Sequence, residues 1–302
     1  MTRPARVAAL LAAACSACAP HVAPPKVERA ALTAQVAGDA PRAFGSFVHD
    51  LDRILRIGDR LRQANAETCG EKRAPDLGWI TWAARDVRPE LQVLAKQVLD
   101  VGKTPVVVAV SPDGAAALAG VRVGDHVSKV GGTSVATAVQ VRRAEQSLPE
   151  HGATVTVERG GAEVEVVVAP QRLCRQAVEP SGHDSIDAWA YEGNVFVTLR
   201  LVALASDDQL AFSLAHALAV SLLNADGRLV HEIPEPQATS LAVQLTERAG
   251  FSVADAAALL ELQAIEQPWM VITDGKKPEI GEIPRRIVAL RSLAAERQPK
   301  DP

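Results

Sequence analysis

Metal-assisted hydrolysis of a peptide bond needs few side chains, but it needs them in register. Two histidines four residues apart lie on one helix face and can share a zinc ion. A glutamate beside the first takes the proton from the metal-bound water, and a third protein ligand leaves the fourth position to that water. The run Asp207-Asp208-Gln-Leu-Ala-Phe-Ser-Leu-Ala-His216-Ala217-Leu-Ala-Val220 offers this frame with one of its three residues in place. It reads as an amphipathic helix with a single histidine set in an apolar stretch. His216 holds the first ligand position. Ala217 stands where the base is needed, and a methyl group moves no proton. Val220 stands at the second ligand position, and an isopropyl group binds no metal.

A plainer reading stands beside this one. With no partner at i+4, His216 fits a hydrogen-bonded core histidine, and Glu235 either pairs with it or is a solvated carboxylate at a helix start. His231-Glu232 offers a replacement ligand and base, though from a loop before Pro234 and not from the helix face. The other histidines show no ligand spacing.

The elements that must position these residues can be read along the chain of 302 residues, 48% of them hydrophobic, which is enough for two domains. A net charge of -4 and the lack of a basic, aromatic-studded stripe exclude nucleic acid as a partner. Residues 1–18 carry a short basic start and an apolar run too short to span a bilayer. They read as an export signal of the kind that ends in a lipidated cysteine, Cys15 or Cys18, placing the chain on the periplasmic side of a bacterial membrane. Residues 19–43 read as a tether. Residues 44–70 read as an amphipathic helix through Phe47, Leu51, Ile54 and Leu61. In an oxidising compartment Cys69 and Cys174 are expected to pair, the alternative being two buried thiols.

Between those cysteines the pattern changes. Val106-Val-Val-Ala-Val110 is a strand, Ser111-Pro-Asp-Gly114 a turn, Ala115–Ala119 a short helix and Val139–Leu148 a longer one. Ala153–Glu158 and Glu163–Val168 form a hairpin around Arg159-Gly-Gly161. With Ala-Leu-Ala-Gly120-Val-Arg-Val-Gly124-Asp125 and the strand ending at Gly131-Gly132, residues 95–172 resemble a PDZ domain of the bacterial type. The resemblance implies peptide capture by strand addition. It points to Val101-Gly102-Lys103-Thr-Pro105 as the carboxylate-binding loop and to Gly102, Lys103, Val106 and Val108 as peptide contacts.

Residues 174–297 resemble the CAAX-protease-like zinc peptidases, or gluzincins. The motifs are Asp187-Ala188-Trp189-Ala190, Val197-Thr198-Leu199-Arg200-Leu201, Asp207-Asp208-Gln209-Leu210-Ala211, the His216 frame and Glu235-Pro-Gln-Ala238-Thr239. The resemblance implies Glu235 as third ligand, and Thr239 replaces the aspartate that supports the site. Asp187 and Arg200 depart from the pattern as well. The expected fold is α+β: an N-terminal helix, an inserted PDZ-like β-rich domain and a mainly helical zincin-like domain. The expected role is that of a pseudopeptidase binding peptide segments or envelope proteins without a cofactor. The alternatives are a metalloendopeptidase with a zinc site rerouted through His216, Glu235 and His231, and a purely structural envelope lipoprotein.

Overall fold

The computed structural model describes residues 28–224, 235–266, 270–271, 279–280 and 282–297. It divides into two units, the residues up to Ala40 and the body from Pro41 onward. Cys15, Cys18, His231 and Glu232 lie outside the described residues. Among the described residues, no helix is long and apolar enough to cross a membrane.

The fold is α+β. Helix α1 (Arg29–Ala64) begins well before the expected Phe44, so the part of the expected tether that is described is helical. Pro41 lies inside it, where proline ordinarily marks a boundary. In the body, the apolar face of α1 divides its work. Phe44 packs into a small core with Ala95, Val101, Val106 and Val108, while Ile54, Ile57 and Leu61 enter the core of the helical domain.

After α1 the chain runs into β1 (Arg73–Asp76), which pairs antiparallel with β8 (Gln171–Cys174). This two-stranded stem is where the intervening domain leaves and rejoins the chain. Cys69 and Cys174 close it with a disulfide, Cα atoms 5.5 Å apart across a sequence separation of 105.

The intervening sheet has the order β2-β3-β4-β6-β7: β2 (Trp79–Trp82), β3 (Val106–Val110), β4 (His126–Val130), β6 (Ala153–Arg159) and β7 (Ala162–Val168), with the short β5 (Thr133–Ser134) beside β4. Helix α2 (Gln92–Leu99) fills the connection from β2 to β3. Helices α3 (Ala115–Leu118) and α4 (Ala138–Glu145) follow. The sheet thus starts sixteen residues before the expected 95. Val107 enters the PDZ core with Val127, Val155 and Val157, whereas Val106 and Val108 enter the small core under α1. Burial on both faces explains why β3 is a continuous apolar run with no alternation. The Gly124-Asp125 turn has an equally specific cause. Asp125, buried, accepts from Arg159 Nε at 2.7 Å and Nη2 at 2.6 Å, pinning the β6–β7 turn to the β3–β4 connection.

The helical domain starts with β9 (Val178–Ser181), β10 (Ala188–Tyr191) and β11 (Asn194–Thr198), in the sheet order β10-β11-β9. Helices α5 (Leu199–Leu204), α6 (Asp207–Leu223), α7 (Glu235–Arg248), α8 (Ala256–Glu266) and α9 (Glu282–Arg297) complete it, with a two-stranded pair of β12 (Met270–Val271) and β13 (Glu279–Ile280). Ser206 and Gln209 form a capping box that starts α6. Helix α6 is not amphipathic as expected: every residue from Leu210 to Val220 is buried, because helices and sheet cover all its sides.

The disulfide constrains an unfolded loop of roughly a hundred residues, worth about 4–5 kcal/mol in the chain-entropy model. Replacing Cys69 and Cys174 together by serine is expected to lower the free energy of urea unfolding by an amount approaching that figure. A change under about 1 kcal/mol would show that the stem holds without it.

Candidate functional site

Two places could do chemistry or bind a ligand. The first is built around His216. Helix α6 brings His216, 3% exposed, against the first turn of α7. His216 Nε2 lies 2.7 Å from Glu235 Oε1. The same oxygen accepts from Arg286 Nε of α9 at 2.8 Å and from the Thr239 hydroxyl at 3.2 Å. Burial pushes the His216 imidazole down, the Arg286 charge adds to this, and together they hold it at about 4, so that it is neutral at pH 7. Burial pushes Glu235 up, but the hydrogen bond from His216 and the nearby Arg286 charge outweigh it and hold the carboxyl at about 2.

These residues do not fit a zinc ion. His216 and Glu235 do come together, as expected, but the side chains at 217 and 220 are apolar and packed in the core. A guanidinium already provides the positive charge that the Glu235 carboxylate needs. Among the described residues, no three His, Cys, Asp or Glu side chains are grouped so as to hold a metal. Thr239, expected only as a lost support, donates to Glu235. Asp207, part of the expected motif, pairs instead with Arg53 at 2.7 Å and Arg56 at 3.2 Å on α1. Sequence reasoning missed Arg286, because an arginine on a terminal helix reads by default as a solvated charge.

The second place is a cavity of about 440 Å³ between β2 and α4, bounded on its far side by α1 and β9. Strand β2 lies at the sheet edge, so its outer side faces the cavity with no strand paired to it. Trp79, Trp82 and the exposed Val139 supply apolar surface. Arg142 on α4 pairs with Glu179 on β9 at 2.9 Å across the rim. Here the expected peptide contacts are corrected. Val106 and Val108 sit on an inner strand whose two edges are taken by β2 and β4, so no peptide can add there. Gly102 and exposed Lys103 belong to the connection leading into β3, where the Gly102 carbonyl accepts from Ala84 N–H at 2.7 Å.

The loop that enters β2 is Asp76-Leu77-Gly78-Trp79. Gly78 has φ +71°, and a Cβ on it would sit 2.8 Å from Gly114 Cα, so the two glycines pack backbone to backbone. Its amides are occupied from within. Leu77 N–H donates to Glu145 Oε1 at 2.5 Å and Gly78 N–H to Asp76 Oδ1 at 2.8 Å. Arg62 bonds Asp59 at 3.0 Å and Asp76 at 2.5 Å. Burial, with Asp76 adding, pushes Glu145 up to about 8 and Asp59 up to about 7.

Comparison with known proteins agrees with part of this picture. Residues 106–159 match the PDZ domain family, so this part of the chain is a PDZ domain. A stretch of 79 residues is 42% identical to a Rhizobium meliloti (strain 1021) protein named "Putative zinc metalloprotease". That stretch covers 26% of this chain and 21% of the relative, so the chain spans about a fifth of the relative's length. Among solved structures, the "HtrA-type protease AlgW with decapeptide" is 24% identical with a TM-score of 0.28, over 33% of this chain and 30% of that one. The "HtrA3 PDZ Domain Bound to a Phage-Derived Ligand (FGRWV)" is 21% identical with a TM-score of 0.25, over 33% of this chain and 86% of that one. The chain is thus a PDZ-containing protein with partial similarity to a protease. The family match begins at Val106, after β2, so the groove strand lies outside it.

Arg286→Met would leave the Glu235 carboxylate buried without its cation, a loss on the order of 3–5 kcal/mol in denaturant unfolding. Changing Glu235→Gln as well should recover much of it. Both folded-state values lie below the ordinary ones, so both groups contribute stability that is lost on acidification. The His216 share is present above 6.5 and falls away towards pH 4. The Glu235 share is present above 4.5 and falls away towards pH 2. A His216→Gln variant is expected to lose the first part of that acid slope; an unchanged slope between pH 6.5 and 4 would contradict the assignment.

Proposed function

We propose that this protein binds peptide segments in its PDZ groove and that its metallopeptidase-like helical domain does not hydrolyse them. The observation that carries the reading is the free outer edge of β2 facing α4 across a cavity of about 440 Å³. An extended segment pairing with that edge gains main-chain hydrogen bonds, and its alternate side chains meet Trp79, Trp82 and Val139. The cavity is within the usual size of ligand sites. The Arg142–Glu179 pair at the rim is partly exposed and worth at most about 1 kcal/mol, so it yields to a ligand at little cost.

The helical domain supports the second half of the proposal. A peptidase of the zinc type needs a base beside His216 and a second ligand one turn on, and Ala217 and Val220 supply neither. No metal cofactor is part of the proposed activity. The export signal of residues 1–18, with Cys15 or Cys18 as lipid attachment point, extends the proposal to the cell envelope. There the partners would be exposed segments of envelope proteins, and the chain would be held at the membrane by its anchor.

The test is a decapeptide array probed with the full chain, followed by mass spectrometry of the incubated peptides. Binding of a subset of sequences, lost at least tenfold in Val139→Arg, together with intact peptides after prolonged incubation, is the expected result. Cleavage abolished by His216→Ala would refute the non-hydrolytic half. Binding indifferent to Val139→Arg would refute the groove.

A further inference from the structure

The closed end of the PDZ groove differs chemically from the rest of it. A groove that captures chain termini keeps backbone N–H groups free there to receive the terminal carboxylate. Here the N–H groups of Leu77 and Gly78, in the loop that enters β2, are already donated to carboxyl groups of the chain itself. Glu145 reaches the Leu77 N–H from the last turn of α4, and its second oxygen lies 3.4 Å from the indole nitrogen of Trp79, which donates to it. Behind them Asp59 faces the same space from α1. The cavity as a whole is lined by the acids Asp59, Asp76, Asp86, Glu145 and Glu179 and the arginines Arg62, Arg142 and Arg175, and Asp59, Asp76 and Glu145 gather around Arg62. Two Arg62 nitrogens are spent on Asp59 and Asp76, and a third on the Cys174 carbonyl at 2.9 Å. Arg175, which also lines the cavity, donates its backbone N–H to the Lys72 carbonyl.

We infer that the groove selects internal segments, whose chain continues past the acidic end as neutral backbone, and rejects a free C-terminal carboxylate. This rests on the peptide-binding reading above and names its ligand class. Two arguments lead the same way. A terminal carboxylate would find the Leu77 and Gly78 N–H groups already taken, and it would stand beside the carboxyl groups of Asp59, Asp76 and Glu145 with the Arg62 donors already spent. An internal peptide unit brings no charge, and it still offers β2 the full ladder of main-chain hydrogen bonds. The occlusion does not depend on the protonation of Glu145, because its oxygens fill the same space in either form.

The experiment uses the full chain and matched pairs of decapeptides, each sequence synthesised once as the free acid and once as the C-terminal carboxamide. Affinities are read by fluorescence anisotropy at pH 7.5. The expected result is that, for sequences that bind, the carboxamide binds at least tenfold tighter, and that Glu145→Ala, which frees the Leu77 N–H, closes most of that gap. Should Glu145→Ala fail to fold, the acid-to-amide ratio in the unaltered protein decides alone. Free acids binding equally well or better would overturn this inference and leave the groove reading in place. No binding by either form of any sequence would overturn the groove reading, and this inference with it.

Discussion

The body of this protein is organised around one buried cation. Arg62, near the end of α1, holds Asp59 of its own helix, Asp76 at the end of β1 and the Cys174 carbonyl at the end of β8. These partners belong to the long helix and to both strands of the stem from which the PDZ domain extends. Burying a guanidinium is costly unless its donors are met with good geometry, and here three of its nitrogens are. The disulfide closes the same stem a few residues away, so a covalent and an ionic restraint act on one junction. Asp76 is shared, because its other oxygen takes the Gly78 N–H. The shape of the groove entrance is therefore set by the stem as much as by the PDZ sheet.

A common physical pattern links the two places where a ligand charge would be expected. At each, a side chain of the protein itself occupies the place. Arg286 gives Glu235 a cationic partner, and the Glu145 carboxyl gives the Leu77 N–H an acceptor. Each substitution satisfies a buried polar group that would cost free energy if left alone. Each also rests on an element distant in sequence, α9 in one case and α4 in the other.

That distance accounts for what could and could not be read beforehand. The β6–β7 hairpin, the short turn helix and the Gly124-Asp125 turn are local, and the residues that make them sit beside one another in sequence. The continuous valine run of β3 was legible as a strand. Its burial on both faces was not, since the second face is covered by Phe44 and α2. Strand β2 escaped notice because Trp79-Ile-Thr-Trp82 is short and is separated from β3 by residues 83–105, which contain a helix of their own. The loop that enters this edge strand, residues 76–79, consequently went unread. His216 and Glu235 were found through the resemblance to the zinc peptidases, whereas Arg286, which bonds Glu235, carries no local signal. The start of α1 was misplaced because Pro41 ordinarily reads as a boundary. Helix α6 looked one-sided because Ser213 and His216 are polar, although both are buried.

The central claim is that Arg286 satisfies the His216–Glu235 pair, from which we propose that the pair holds no metal. The most direct measurement is the zinc content, by elemental analysis, of the chain purified without chelator from cells supplied with zinc. The account predicts well under a tenth of a zinc ion per chain. About one zinc per chain, lost on His216→Ala, would contradict it and return the helical domain to the metal-binding peptidases.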